Sequence, residues 1–217
     1  MSLETFRRRR LPHWEQPYAT YFITACLAGS IPATGLLAIR RSLQRSAGRP
    51  PCDPRRLQSW QRGKDRLAFM HQEEWLDEGV GTRWFADPRL AIVASDAIRY
   101  HAGKRYALHA YVVMPSHMHC VLSPIQVAEA SGRISRFSSV GTVMHALKSF
   151  IAHECMKVLG LSGPFWQQES YDRLVRNESE LGRVVAYTEW NPVKARLCAR
   201  PEEWQFSSAS GRLPNRG

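Results

Sequence analysis

The chain has 217 residues, 44% of them hydrophobic, and thirty Lys and Arg against nineteen Asp and Glu leave a formal charge of +11. Seven Trp and seven Tyr exclude a disordered chain. Five scattered cysteines (Cys26, Cys52, Cys120, Cys155, Cys198) without CxxC spacing exclude a disulfide framework, and no run nears the ~18 apolar residues that span a bilayer. The length fits one domain with elaborations, and the charge suits a polyanion, nucleic acid first, or a merely soluble basic protein. The charged N-terminus holds no apolar signal segment, so a soluble cytoplasmic protein with no membrane partner is expected.

Residues 1–17 open with Arg7-Arg8-Arg9-Arg10 and carry Pro12 and Pro17, a basic arm or equally a solvated tail. Residues 20–27, rich in β-branched and aromatic side chains, predict the first strand of a main domain over 18–192. Residues 31–85 read as an insertion lying over that domain. Within it a helix starts at 36–43, a loop at 46–54 holds Gly48, Pro50, Pro51 and Pro54, and a short helix covers 64–76.

Asp87-Pro88 supplies an N-cap and N1, and Leu90, Val93, Ala97 and Tyr100 follow at helical spacing until Gly103. Residues 106–113 and 117–123 predict two strands joined by the turn Met114-Pro115-Ser116, with a loop following at 124–137. A long helix over 139–159 has the stripe Val140, Val143, Leu147, Phe150, Ile151, Cys155 and Val158, ended by Gly160. The fourth strand falls within 164–175. Asn177 caps a last helix, with Glu180 in capping-box position and the stripe Leu181, Val184, Val185 and Thr188. Pro192 stops or kinks that helix. Residues 193–217, with Trp204 and Phe206, form a tail packing on or near the core. The order β-α-β-β-α-β predicts an α+β, ferredoxin-like fold: an antiparallel sheet with helices on one face, plus a C-terminal helix bearing Tyr187.

His117 and His119, two apart on a strand, face the same side and could share one metal ion, with Cys120 pointing the other way. The spacing alone is weak, because eight His produce about 0.3 such pairs by chance, and an edge pair of histidines is the plain alternative. Tyr187 and Asn191 stack at i, i+4, with Arg183 one turn earlier. A phenol has a pKa of ~10 and needs a nearby cation to act as a nucleophile; the Asn191 amide oxygen is a hard ligand for such a cation. Against this, Tyr187 packs at a helix edge and Asn191 is only a C-cap. Tyr171 is a rival nucleophile, or a packing residue of its strand. His145 and His153 lie on the long helix, and His101 and His109 read as structural or exposed. Arg99 stands with Lys104 and Arg105 before the second strand. Those three, with Lys148, Arg183 and the arm residues Arg7, Arg8, Arg9 and Arg10, are candidate phosphate contacts.

Val112-Val113-Met114-Pro115-Ser116-His117-Met118-His119 resembles the His-hydrophobic-His motif of the HUH single-tyrosine transposases. Several further stretches resemble the REP-associated tyrosine transposases within that superfamily. They are Tyr21-Phe22-Ile23-Thr24, Phe165-Trp166-Gln167-Gln168-Glu169 with Tyr171-Asp172, Tyr187-Thr188-Glu189-Trp190-Asn191-Pro192, Pro201-Glu202-Glu203-Trp204 and Phe206-Ser207-Ser208-Ala209. The resemblance covers about residues 15–210. It implies Mg²⁺ or Mn²⁺ on His117 and His119, a polar ligand at Asn191, and no small-molecule cofactor. It also implies Tyr187 as the nucleophile that forms a 5′-phosphotyrosine, and single-stranded DNA beside palindromic hairpins as partner. The family usually has Asn where this chain has Ser116, which is expected to weaken the positioning of His117. A domesticated, non-catalytic hairpin binder and an RNA-binding sheet are the competing readings.

Overall fold

The computed structural model describes residues 5–8 and 12–15 (backbone only), 19–46, 48, 50–126, 139–167 and 171–210. The arm is a two-stranded antiparallel ribbon, β1 (Thr5–Arg8) and β2 (Pro12–Glu15). Arg7 and Arg8 end β1, while Arg9 and Arg10 lie outside the described residues, as does the loop beyond Gln126 up to residue 138.

The main sheet has four strands: β3 (Thr20–Cys26), β4 (Tyr106–Val113), β5 (His117–Pro124) and β6 (Tyr171–Val175). Their order is β4-β5-β3-β6, and every neighbouring pair is antiparallel. Strand alternation sorts the side chains into two layers. Tyr21, Ile23, Ala25, Tyr111, Met118, Cys120 and Leu122 join the main core under α3 (Pro88–His101) and α4 (Val140–Leu159). Phe22, Ala110 and Val121 face the other way, where α5 (Glu178–Lys194) brings Val184 against them.

Local chemistry explains the helix ends. Asp87 and Ser139 accept bonds from the first-turn amides of α3 and α4, and Gly160 closes α4 in the left-handed conformation at φ 63°. Asn177 accepts from the Glu180 amide, whereas the Glu180 carboxylate reaches the Arg176 amide rather than that of the cap.

Four expectations change. The helix expected over 64–76 is α2 (Pro54–Glu78), 25 residues long. Asp53 caps it through the Arg55 amide with proline at N1, the same signature that opens α3. Second, α1 (Ala33–Ser46) and α2 form a helical hairpin whose far end of α2 presses on the sheet. Third, Phe150 and Val158 are exposed, because the buried line of α4 runs through Val140, Val143, Met144, Leu147, Ile151 and Cys155. Fourth, Pro192 lies inside α5, which continues to Lys194; Asn191 stays helical and its carbonyl accepts from the Ala195 amide.

The tail docks on the β4 edge. Val113 donates to the Phe206 carbonyl, Ser208 donates to the Tyr111 carbonyl, and Trp204 Nε1 donates to the Val113 carbonyl. Ser208 also ties the tail to Glu189 of α5 at 2.9 Å. Among the described residues no helix is long and apolar enough to cross a membrane.

Candidate metal and tyrosine site

The β4–β5 turn is pinned by three backbone bonds. Met114 donates to the His117 carbonyl, Leu27 to that of Ser116, and Phe85 to that of Pro115. This holds the start of β5 rigidly, and the strand period then puts His117 and His119 on the α5 side of the sheet. Both rings are buried, and their Nε2 atoms are 3.1 Å apart. Each Nδ1 has a hydroxyl partner: Ser116 Oγ at 3.0 Å from His117 and Thr24 Oγ1 at 2.9 Å from His119. With each Nδ1–H donated to its hydroxyl, both Nε2 lone pairs face the same point. Two bare lone pairs at that spacing repel, and a cation between them removes the repulsion.

From α5, Asn191 brings its amide Nδ2 to 3.2 Å of His119 Nε2, and its Oδ1 is buried without a partner. Tyr187, one turn back, packs edge-on to Phe22 and His119, with its ring centroid 5.8 Å from that of His119. The structure therefore brings together His117, His119, Asn191 and Tyr187.

The residue that sequence reasoning missed is Glu73. The far half of α2 lies over the same sheet face, with Phe69 against Phe22, Tyr171 and Tyr187, and Leu76 packed with Cys26 and Ile31. Glu73 sits in the stripe Phe69–Glu73–Leu76 and is 3% exposed. Its Oε2 accepts a hydrogen bond from the Tyr187 hydroxyl and lies 3.5 Å from His119 Nε2, while its Oε1 has no partner. The sequence carried a usable signal: the Asp53-Pro54 start extends the helix to Gly79, and a carboxylate then falls in its apolar stripe.

The electrostatics follow from burial and these contacts. Burial, reinforced by the neighbouring His119, pushes His117 down to about 3, so its ring is neutral and able to ligate. Burial pushes Glu73 up, but the positive charge of a proton on the imidazole pair, above all on His119, together with the Tyr187 hydroxyl outweighs it and holds it down to about 2 in the metal-free site. Burial first, and then the Glu73 carboxylate, raise Tyr187 far above the ordinary phenol range. Glu73, His117 and His119 could hold a divalent cation, their donor atoms lying within 4.8 Å of one another. The orphaned, buried Glu73 Oε1 and Asn191 Oδ1 are oxygen acceptors of the kind such an ion takes.

The rival Tyr171 stacks on Phe69, ring centroids 4.8 Å apart, and burial pushes it up to about 12. The candidate phosphate contacts are dispersed. Lys104 lies over the Tyr100 ring at 3.5 Å, and Arg105 is exposed beside it. Lys148 stands 5.7 Å from the Trp166 ring, and Arg183 bonds Ser179 on the surface of α5.

No protein-family model matches the chain. A REP-associated tyrosine transposase of Escherichia coli (strain K12) is 27% identical over 112 residues, which cover 51% of this chain and 59% of that protein. A solved structure of a REP-associated tyrosine transposase bound to a REP hairpin superposes with a TM-score of 0.48 at 19% identity, covering 98% of this chain and 89% of that one. The matched region spans less than two thirds of the curated relative's length, and over it this chain is similar in sequence to a REP-associated tyrosine transposase.

Proposed function

We propose that this chain is a divalent-metal-dependent endonuclease and strand transferase acting on single-stranded DNA beside palindromic, REP-like hairpins, in the cytoplasm, with Tyr187 as the nucleophile. The observation that carries the reading is the convergence of two imidazoles, a carboxylate and an amide on one point, with a tyrosine hydroxyl on that same carboxylate. Supporting it are the strand order β4-β5-β3-β6 within a β-α-β-β-α-β chain, which suits a ferredoxin-like sheet, and the sequence similarity over half the chain.

His117, His119, Glu73 and Asn191 would hold Mn²⁺ or Mg²⁺, the carboxylate and amide oxygens being the donors that suit such hard ions. When bound, the ion supplies positive charge to a phosphate oxygen and to the leaving oxygen. Tyr187 Oη attacks phosphorus, the bond to the 3′ oxygen breaks, and a 5′-phosphotyrosine and a free 3′-hydroxyl result. The phenol proton already points at Glu73 Oε2, where it goes as the new bond forms. Tyr187 is favoured over Tyr171 because its hydroxyl lies on Glu73 beside the two histidines, whereas the Tyr171 ring stacks on Phe69.

The test is incubation of the protein with a panel of labelled hairpin oligonucleotides in Mn²⁺. Cleavage with a covalent adduct that disappears in Tyr187→Phe is expected, with the adduct reduced at least 10³-fold, on the order seen when a nucleophile is removed. Salt-sensitive binding with no adduct across the whole panel would overturn the catalytic reading and leave a hairpin-binding protein.

A further inference from the structure

We propose that the closed end of the α1–α2 hairpin is a second nucleic-acid surface, gripping the phosphate backbone of DNA that leads away from the metal site; this rests on the DNA-processing reading above. Residues 40–66 carry nine Lys and Arg against two Asp, a net +7 of the chain's +11 in 27 of its 217 residues. The next twelve, 67–78, carry four acids and no Lys or Arg. Charge is thus segregated along one helix, with the acidic half at the site and the basic half far from it.

The basic end has little internal reason to be so charged. Arg40, Arg41, Arg45, Arg55 and Arg56 are exposed, and among the described residues none pairs with a carboxylate. The two acids of the segment are already engaged: Asp53 caps α2, and Asp65 accepts from Gln61. Arg55 and Arg56 stand in the first turn of α2, which has no acidic residue. That is the positive end of the helix dipole, where cations cost stability and the Asp53 carboxylate is one anion against two of them.

The hairpin is built to hold this end in place. Gly35 lets α1 approach the Trp75 ring, and Ser42 bonds His71 at 2.8 Å. Between the helices lies a mainly apolar cavity of about 600 Å³ lined by Leu36, Ile39, Leu43 and Trp60, with Arg40 and Lys64 as its charged members. Two cations beside an indole fit a strand whose phosphates are neutralised and whose base stacks. Arg55 lies about 27 Å from Glu73 along the axis at 1.5 Å per residue, or about eight base steps at 3.4 Å. DNA in contact with both ends of α2 would span that length.

The exposed Leu36, Leu37 and Leu57 make an anionic lipid surface the rival partner, and the test includes it. Full-length protein, in EDTA to prevent cleavage, is titrated into a labelled 20-nucleotide strand and a random-sequence hairpin at several salt concentrations, followed by anisotropy. The variant R55Q/R56Q is compared with R89Q/K157Q, which removes as many cations from α3 and α4 on the opposite sheet face. Matching thermal melts for the two show that both fold. The expected result is at least tenfold weaker binding by the hairpin variant than by the control at low salt. The slope of log K against log salt should be shallower by about 1.5, since each lost phosphate contact removes 0.7–0.9.

Equal affinities and slopes for the two variants, with wild type binding DNA, overturn the proposal and leave the reading of the metal site intact. Wild type that binds neither probe overturns both. Arginine-dependent binding to vesicles containing one third phosphatidylglycerol, without arginine-dependent DNA binding, overturns it in favour of a membrane surface.

Discussion

Ser116 shows how a single substitution reads differently in sequence and in space. The residue stands where the similar family has Asn and was expected to weaken His117. Its hydroxyl lies 3.0 Å from His117 Nδ1, as Thr24 Oγ1 lies 2.9 Å from His119 Nδ1, so the two hydroxyls stand in the same place on the two rings. Partners of this kind fix ring orientation and tautomer, and their loss typically weakens a metal site 10–100-fold. Ser116→Ala and Thr24→Val should each weaken Mn²⁺ binding by about that factor in EPR titrations, with Thr24→Ser restoring it. The depressed basicity of the buried groups also predicts acid sensitivity in the metal-free protein. His117 falls from 6.5 to about 3 and Glu73 from 4.5 to about 2, so between those values the unfolded chain binds more protons than the folded one. The stability these groups contribute is present above pH 6.5, starts to fall there through His117, and falls further below 4.5 through Glu73. Urea midpoints measured in EDTA should decline from pH 7 to 4, and His117→Gln should flatten the upper part of that decline.

At the scale of elements, α2 is the decisive piece. A segment that read as a covering insertion supplies a carboxylate to the candidate site, clamps α5 through the Asp77–Lys194 ion pair at 2.8 Å, and donates Gln72 to the Cys26 sulfur. Its start depends on one cap, so Asp53→Ala should cost about 1 kcal/mol of stability in chemical denaturation. Its exit depends on a close backbone approach: a Cβ on Gly81 would lie 2.2 Å from the Ser30 carbonyl oxygen and 2.3 Å from that of Gly29. Neither obstacle is a movable side chain. Gly81→Ala should therefore cost about 3 kcal/mol and loosen α2 from the sheet, read as faster amide exchange around Glu73. The proline in α5 follows the same logic of context. Val184, Thr188 and Asn191 are buried against the sheet, and that packing carries the helix through Pro192, where local preference alone ends it.

For the whole molecule, the candidate site is a junction. Its donors come from β5, α5 and α2, residues 73, 117, 119 and 191, so an ion bound there would tie together parts of the chain more than a hundred residues apart. Binding to the native state alone stabilises it by about 2.7 kcal/mol at a hundredfold excess over Kd. Mn²⁺ should raise the melting temperature of the wild-type protein by several degrees, and Glu73→Gln and His119→Ala should each lose most of that rise. Equal shifts in wild type and both variants would place the ion elsewhere.

Much of this was legible in the amino-acid order because it is local. The caps Asp87 and Asn177, the two strands around Met114-Pro115-Ser116, the shared face of His117 and His119, and the i, i+4 stacking of Tyr187 and Asn191 all follow from bonds and periodicities within a few residues. The length of α2 was equally local and was obscured only because Pro54 read as part of a proline-rich loop. Other features belong to tertiary structure alone: the meeting of α5 with β5, the burial of Glu73 beside them, the Thr24–His119 contact, and the docking of 204–209 on the β4 edge. Each joins residues 44 to 118 positions apart, where no periodicity operates, and packing against the sheet, not the local sequence, decides which side chains meet.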